Sequence, residues 1–349
     1  MVAIVSPPNL VPRLGGETIA SSSKELSPRA KSWAFLWTVL MGVIEQLASA
    51  LGKKDEDVID FLVTAPRKYK VYTIPKRSIG HRLIAQPSQE LKIYQKKYIE
   101  LNPLPVHETA MAYRQGLSIK ENAKAHQKSS YLLKMDLENF FNSITTDVFW
   151  QEWRAFYPQL SDVDSIILER LLFWAPNKKL DGKLILSIGA PSSPALSNFI
   201  MHRFDEAVVN NCVAIGVKYT RYADDLTFSS NTKDILFTLP GLIENILMMI
   251  FNGAIRVNKR KTIFSSKAHN RHVTGVTISN DDNISLGRER KRYIKHLVYQ
   301  YMNGKLEKDQ VNHLQGLLSF AKHIEPNFIT SLNIKYTHKI IHSIMSDKQ

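Results

Sequence analysis

Apolar residues change their spacing several times along the 349-residue chain, and each change marks a different kind of element. The first thirty or so residues include Pro7, Pro8, Pro12, Gly15, Gly16, Ser21, Ser22, Ser23 and Pro28, which resist regular structure and predict a flexible arm. Helical spacing sets in from 32 to 51, and Val58, Phe61 and Leu62 predict a second short helix that Pro66 ends. Two β-prone runs, 69–75 and 82–85, flank Ser78, Ile79 and Gly80 and predict a basic hairpin, followed by a helix over 91–101.

Further on, the apolar run 131–136 predicts a short strand that delivers Asp136 at its end, with a turn into helix after Leu137. Residues 218–229 contain two β-prone runs meeting at Asp224-Asp225, which predicts a hairpin with two anions at its tip. A helix begun at Pro194, capped by Ser192 or Ser193, presents Leu196, Phe199, Ile200, Phe204 and Ala207 on one face. From about Arg288 helical spacing returns, with Tyr293, Leu297 and Tyr301, then Leu314, Leu317, Leu318 and Ala321.

Composition adds a partner class. A chain with 44% hydrophobic and 22% charged residues should fold, and 46 Lys+Arg against 32 Asp+Glu leave a charge of +14, which favours a polyanion through phosphate neutralisation. The same excess can instead serve solubility, and the basic positions Arg288, Arg290, Lys291, Arg292 and Lys295 suit a solvated face as well as a nucleic-acid grip. With Cys212 the only cysteine, intrachain disulfides and cysteine zinc sites are excluded, which suits a reducing cytoplasm. No stretch reads as a membrane span, so the expectation is a soluble cytoplasmic protein with no membrane partner. Phosphate-loop, nucleophile-elbow and His-Glu-x-x-His patterns are absent, which disfavours an NTPase, a hydrolase or a zinc protease.

The carboxylates carry the candidate chemistry. Taken singly, Asp136 is as well suited to capping a helix, and Asp224-Asp225 to a solvated turn. Taken together, a mixed sheet can bring a strand-end Asp beside a hairpin tip, and three hard oxygen ligands suit magnesium working with substrate phosphates.

In this setting Tyr222-Ala223-Asp224-Asp225 resembles the Tyr-x-Asp-Asp box of reverse transcriptases, and Asp136 with Phe141 resembles their upstream Asp box. The run Gly189-Ala190-Pro191-Ser192-Ser193-Pro194-Ala195-Leu196-Ser197-Asn198 resembles the box between them. Asn122-Ala123-Lys124-Ala125-His126 and Val273-Thr274-Gly275, the latter after Asn258-Lys259-Arg260-Lys261-Thr262, resemble elements of the bacterial retron enzymes in particular. Ile188 stands where many reverse transcriptases have Gln, as is common in retron enzymes. The resemblance runs from about Tyr69 to the C-terminus.

It implies an α+β fold of the right-hand polymerase type. An arm and N-terminal helices would occupy 1–66, fingers 67–130, a palm with a mixed or antiparallel sheet 131–285, and a helical thumb 286–349. It implies an RNA-directed DNA polymerase in which Asp136, Asp224 and Asp225 hold two Mg2+ ions and Lys261 protonates the departing pyrophosphate. Lys76, Arg77 and Arg82 would meet the triphosphate, Arg82 foremost, although template phosphates are an alternative target. Phe141 would exclude a 2′-hydroxyl, and Gly189, Ala190 and Pro191 would offer a surface for the templating base pair. Asn122, His126, Val273, Thr274 and Gly275 would recognise a partner RNA or serve structure alone, while Arg288, Arg290, Lys291, Arg292 and Lys295 would grip the duplex. The implied partners are deoxynucleotide triphosphates, a cognate non-coding RNA with the DNA copied from it as a branched product (msDNA), and an effector protein in antiphage defence. The competing readings are a group II intron or diversity-generating reverse transcriptase, disfavoured by the lack of an appended maturase or endonuclease domain, and a scaffold that has lost catalysis. Retention of all three aspartates argues against the scaffold.

Overall fold

The computed structural model describes residues 42–75, 80–179 and 182–346. The expected arm, the beginning of the 32–51 helix, and Lys76 and Arg77 lie outside the described residues. Helix Val43–Leu51 buries Val43, Leu47 and Ala48 and stops at Gly52, whose φ of 62° ends the helix in the left-handed region that glycine adopts without strain. Helix Asp55–Val63 starts on three acids, which suit the positive end of its dipole, and buries Val58 and Leu62.

Strands β1 (Tyr69–Pro75) and β2 (His81–Pro87) form the expected hairpin, in register from Tyr69 opposite Pro87 to Pro75 opposite His81. Helix Gln89–Leu101 follows. Ser88 caps it, and Leu91, Tyr94, Gln95 and Tyr98 turn one face inward at helical spacing.

The central sheet is built from β3 (Tyr131–Asp136), β4 (Lys218–Tyr222), β5 (Asp225–Ser230) and β6 (Ile263–Ser266), antiparallel in the order β4-β5-β3-β6. β3 lies between two strands and is buried on both faces. Leu133 and Met135 join the large core under the sheet, whereas Leu132 joins a smaller core with Val273, Val276 and the C-terminal helices. Two-sided burial explains why β3 reads as a nearly continuous apolar run rather than an alternating one.

The smaller core is closed by a three-stranded antiparallel sheet, β7 (Arg271–Val273), β8 (Val276–Ile278) and β9 (Ile284–Ser285), and by four helices. These are Arg288–Met302, Lys308–Ile324, Pro326–Tyr336 and His338–Ser346. The first buries Ile294, Leu297 and Val298; Tyr293, expected on the apolar face, is exposed instead. Among the described residues no helix is long and apolar enough to cross a membrane.

Candidate active site

Register alone brings the acidic residues together. In the β3–β5 pairing Asp136 stands opposite Asp225, and Asp224 lies in the two-residue turn between Tyr222 and Asp225. The main chain reinforces the arrangement, because the Leu137 N–H donates to the Asp224 carbonyl at 3.0 Å. The Asn258 N–H donates to the Asp136 carbonyl at 2.7 Å, which docks the 258–261 segment beside β3. From there Lys261 Nζ donates to Asp136 Oδ2 at 2.8 Å and Asn258 Nδ2 reaches Asp136 Oδ1 at 3.5 Å.

The electrostatics are those of crowded anions. Water reaches the Asp225 carboxylate, yet the protein packs closely around it. Lost hydration, followed by the charges of Asp224 and Asp136, pushes it up to about 6. Asp224 is raised chiefly by burial and further by Asp136, against the opposing pull of its own backbone N–H, Lys261 and Arg82. Lys261 is raised, first by its hydrogen bond to Asp136.

Three hard oxygen donors that repel one another, with one lysine in contact, are a donor set suited to a divalent cation. Among the described residues, however, no three carboxylate, imidazole or thiolate groups close into a metal-ligand cluster. Asp136 gives its oxygens to Lys261 and Asn258 instead, so the expected convergence is one of strand register rather than of finished ligand geometry.

Around this centre the other expected residues divide. Arg82, exposed on β2, is near enough for its charge to act on Asp224. Phe140 is buried, while Phe141 is half-buried and meets it edge-on with ring centroids 5.4 Å apart. Gly189, expected to offer a surface to the templating base pair, also lies against β2. At φ 127° its Cα lies so close to β2 that a Cβ would stand 3.1 Å from the Ala85 carbonyl oxygen, and Ala85 N–H donates to the Ile188 carbonyl at 3.0 Å. Gly189 is exposed, Ala190 buried and Pro191 half-buried, so the trio presents Gly189 and part of Pro191 to solvent. The expected serine cap is also corrected. The helix runs Ser193–Ile200, Ser192 occupies the N-cap position without a capping hydrogen bond, and neither the Ser192 nor the Ser193 hydroxyl has a partner.

Asn122, His126 and Val273 are fully buried, which favours the structural alternative of the two roles expected of them. Thr220 Oγ donates to Asn122 Oδ1 at 2.5 Å, so its remaining contact, with His126 Nε2 at 2.7 Å, must be one in which it accepts. His126 Nδ1 then accepts from Ser229 Oγ at 2.7 Å, and burial pushes the imidazole down to about 3, which keeps it neutral. Asn122 Nδ2 reaches Thr274 Oγ at 3.4 Å. Val273 pairs with Val276, leaving Thr274 and Gly275 as a two-residue turn with φ of 45° and 79°, which suits a type I′ hairpin.

On helix Arg288–Met302 only part of the basic set faces water freely. Lys291 pairs with Glu325 at 2.6 Å, Arg290 lies over Phe320 and donates to the Gly275 carbonyl, and Lys295 lies over Phe328. Arg288 and Arg292 are exposed.

Two features escaped the sequence. Tyr113 sits at φ 61°, half-exposed, with Asp224, Tyr222 and Arg82 close enough to act on its hydroxyl, which burial raises first. Arg221, on β4, is fully buried against Asp205. The positive φ leaves no mark in the sequence, and the Arg221 partner lies on a helix whose packing the sequence does not display.

Residues 74–278 match the family of reverse transcriptases, RNA-dependent DNA polymerases. The chain is 47% identical to the retron Ec83 reverse transcriptase of Escherichia coli, over 79% of this chain and 89% of that protein. It is 31% identical to the retron Mx65 reverse transcriptase of Myxococcus xanthus, over 81% of this chain and 68% of that one. A solved telomerase of Candida albicans in complex with a fragment of telomeric RNA overlaps at a TM-score of 0.41 and 13% identity, over 82% of this chain and 58% of that chain. That overlap is too loose to bear on function. The chain belongs to the reverse transcriptase family, and within it to the retron reverse transcriptases. It is therefore an RNA-directed DNA polymerase of right-hand α+β architecture, which depends on a divalent metal and takes a nucleic-acid template and deoxynucleotide triphosphates.

Proposed function

We propose that the protein copies a cognate non-coding RNA into DNA, beginning on a 2′-hydroxyl of that RNA, and so makes a branched RNA–DNA molecule (msDNA). This product works with an effector protein in antiphage defence. The observation that carries the reading is the β3–β5 register, which sets Asp136 opposite Asp225 with Asp224 in the adjoining turn.

In this reading Asp136, Asp224 and Asp225 hold two Mg2+ ions. When bound, the ions supply charge stabilisation to the attacking and leaving oxygens of an in-line phosphoryl transfer. The primer hydroxyl gives its proton to water and its oxygen forms a bond to the α-phosphate of the incoming nucleotide as the bond to pyrophosphate breaks. Lys261, kept protonated beside Asp136, gives the leaving pyrophosphate its proton. Arg82 meets the triphosphate, an assignment its effect on Asp224 supports, together with Lys76 and Arg77, which precede it in the sequence. Phe141, half-buried where Phe140 is fully so, lies under the sugar and leaves no room for a 2′-hydroxyl.

Fingers over 67–130, a palm over 131–285 and a thumb over 286–349 follow as the division of labour, with an arm and N-terminal helices over 1–66. The thumb grips the duplex backbone through Arg288 and Arg292, exposed arginines of its first helix, by phosphate and shape rather than by base sequence. The test is to purify the protein from its native locus, digest free nucleic acid, and analyse what it retains. RNA and DNA joined through a 2′–5′ linkage are expected; linear DNA without a branch would overturn the proposal.

A further inference from the structure

Asp224 is suspended by the peptides on either side of it. The carbonyl of the following peptide, its own, accepts from Leu137, the residue after Asp136, at 3.0 Å. The carbonyl of the preceding peptide belongs to Ala223 and accepts from Arg221 Nη1 at 3.1 Å. Ala223 holds φ at 58°, a region that alanine rarely adopts, so the turn keeps this shape only because its surroundings impose it.

The imposing group is a buried fork. Arg221 Nε reaches Asp205 Oδ1 at 2.9 Å and Oδ2 at 3.1 Å, Nη2 donates to Oδ2 at 2.6 Å, and Nη1 also meets Asn198 Oδ1 at 3.2 Å. Asp205 takes a further bond from the Tyr219 hydroxyl at 2.8 Å, and Asn198 Nδ2 donates to the Ala112 carbonyl at 2.9 Å. Arg221 and Asp205 are wholly buried and Asn198 nearly so. Asn198 and Asp205 belong to the helices Ser193–Ile200 and His202–Ala214, so the fork ties the turn to the body beneath the sheet.

A buried ion pair is a poor device for stability alone, since apolar residues of similar volume often replace one without loss. What a planar guanidinium supplies, and an apolar side chain or a lysine cannot, is several donors at fixed angles. We propose that Arg221 and Asp205 are positioning residues of the reaction: they fix the Ala223–Asp224 peptide plane, and with it the direction in which the Asp224 carboxylate meets a divalent cation. The inference rests on the reading of Asp224 as a metal ligand.

The test compares wild type, the double variant Arg221→Met/Asp205→Leu, Arg221→Lys, and Asp224→Asn. Four quantities are measured: unfolding midpoint, RNA affinity, Mn2+ binding followed by water-proton relaxation, and primer extension resolved into kcat and KM. The double variant is expected to fold and bind RNA as wild type does, while Mn2+ affinity and kcat each fall roughly 10–100-fold, the usual cost of losing an outer support of a metal ligand. Arg221→Lys keeps the charge but not the fork, and is expected not to restore either quantity. Wild-type Mn2+ affinity and kcat in a folded double variant would overturn the inference. If the double variant does not fold, the same two values in Arg221→Lys decide it. Normal extension by Asp224→Asn would sink the underlying site assignment instead, whereas an inactive Asp224→Asn beside a fully active double variant would sink the positioning role alone.

Discussion

The β4–β5 and β7–β8 hairpins share a plan: each has a two-residue turn entered at positive φ and a fully buried arginine on its first strand. Arg221 in the first is matched to a carboxylate, Asp205, that is itself wholly buried. Arg271 in the second donates to the carbonyls of Ser129 and Ser279 and to Asp282, whose side chain is 31% exposed, and its Nε finds no partner. One arginine is thus committed to a dry ion pair behind a turn that bears carboxylates. The other bonds to Ser279 and Asp282 in the turn between β8 and β9, while the turn of its own hairpin, Thr274-Gly275, bears no ionisable group. Helix Ile119–His126 joins the two, since Asn122 contacts Thr220 on β4 and Thr274 in the second turn. A buried charge with a buried partner is the costlier arrangement to break, and it stands behind the turn proposed to hold the metal.

The contrast predicts unequal losses. Arg221→Met strands Asp205 without a counter-charge and should cost about 3–5 kcal/mol in urea unfolding. Arg271→Met leaves carbonyls and a carboxylate that water can reach, and should cost roughly 1–3 kcal/mol. Equal losses would remove the distinction between the hairpins.

Asn122→Ala takes away the acceptor of the buried Thr220 hydroxyl and should cost about 1–3 kcal/mol, with RNA affinity unchanged in a binding titration. Weaker RNA binding at an unaltered unfolding midpoint would mean that RNA reaches this buried residue after all. Gly275→Ala meets no atom within 4 Å of the new Cβ, so only its φ of 79° is penalised, by about 1 kcal/mol. Ala223→Gly should be nearly neutral to stability, because relief of strain at φ 58° is offset by a freer unfolded chain. The smallest stability effect, within about 0.5 kcal/mol, is expected for Arg288→Ala with Arg292→Ala. That pair should instead flatten the salt dependence of RNA binding by about one unit of slope per arginine. An unchanged slope would remove these residues from the grip.

Much of the fold was legible because local pattern and burial agreed. The β1–β2 hairpin, β3 with its terminal Asp136, and the Asp224-Asp225 tip all lie where apolar runs and turn residues put them. Family resemblance alone singles out Lys261, and its contact with Asp136 is not foreseen, since nothing local ties residues so far apart. What stayed hidden depends on long-range packing. Arg221 reads as the polar residue of a half-buried strand until Asp205 is seen beside it. Asn122 and His126 read equally as recognition residues and as structural ones, because a polar side chain does not announce that its partners are internal hydroxyls. Gly189 read as a surface for a base pair, and nothing in the sequence signals that the β2 backbone lies 3.1 Å from where its Cβ would stand.

Primer extension on an RNA template by Asp224→Asn/Asp225→Asn, with RNA affinity measured on the same folded preparation, bears most directly on the reaction centre. Loss of extension in the presence of magnesium with RNA binding retained is the predicted result. Extension at the wild-type rate would show that these carboxylates, although register brings them beside Asp136, do not hold the ions that DNA synthesis needs.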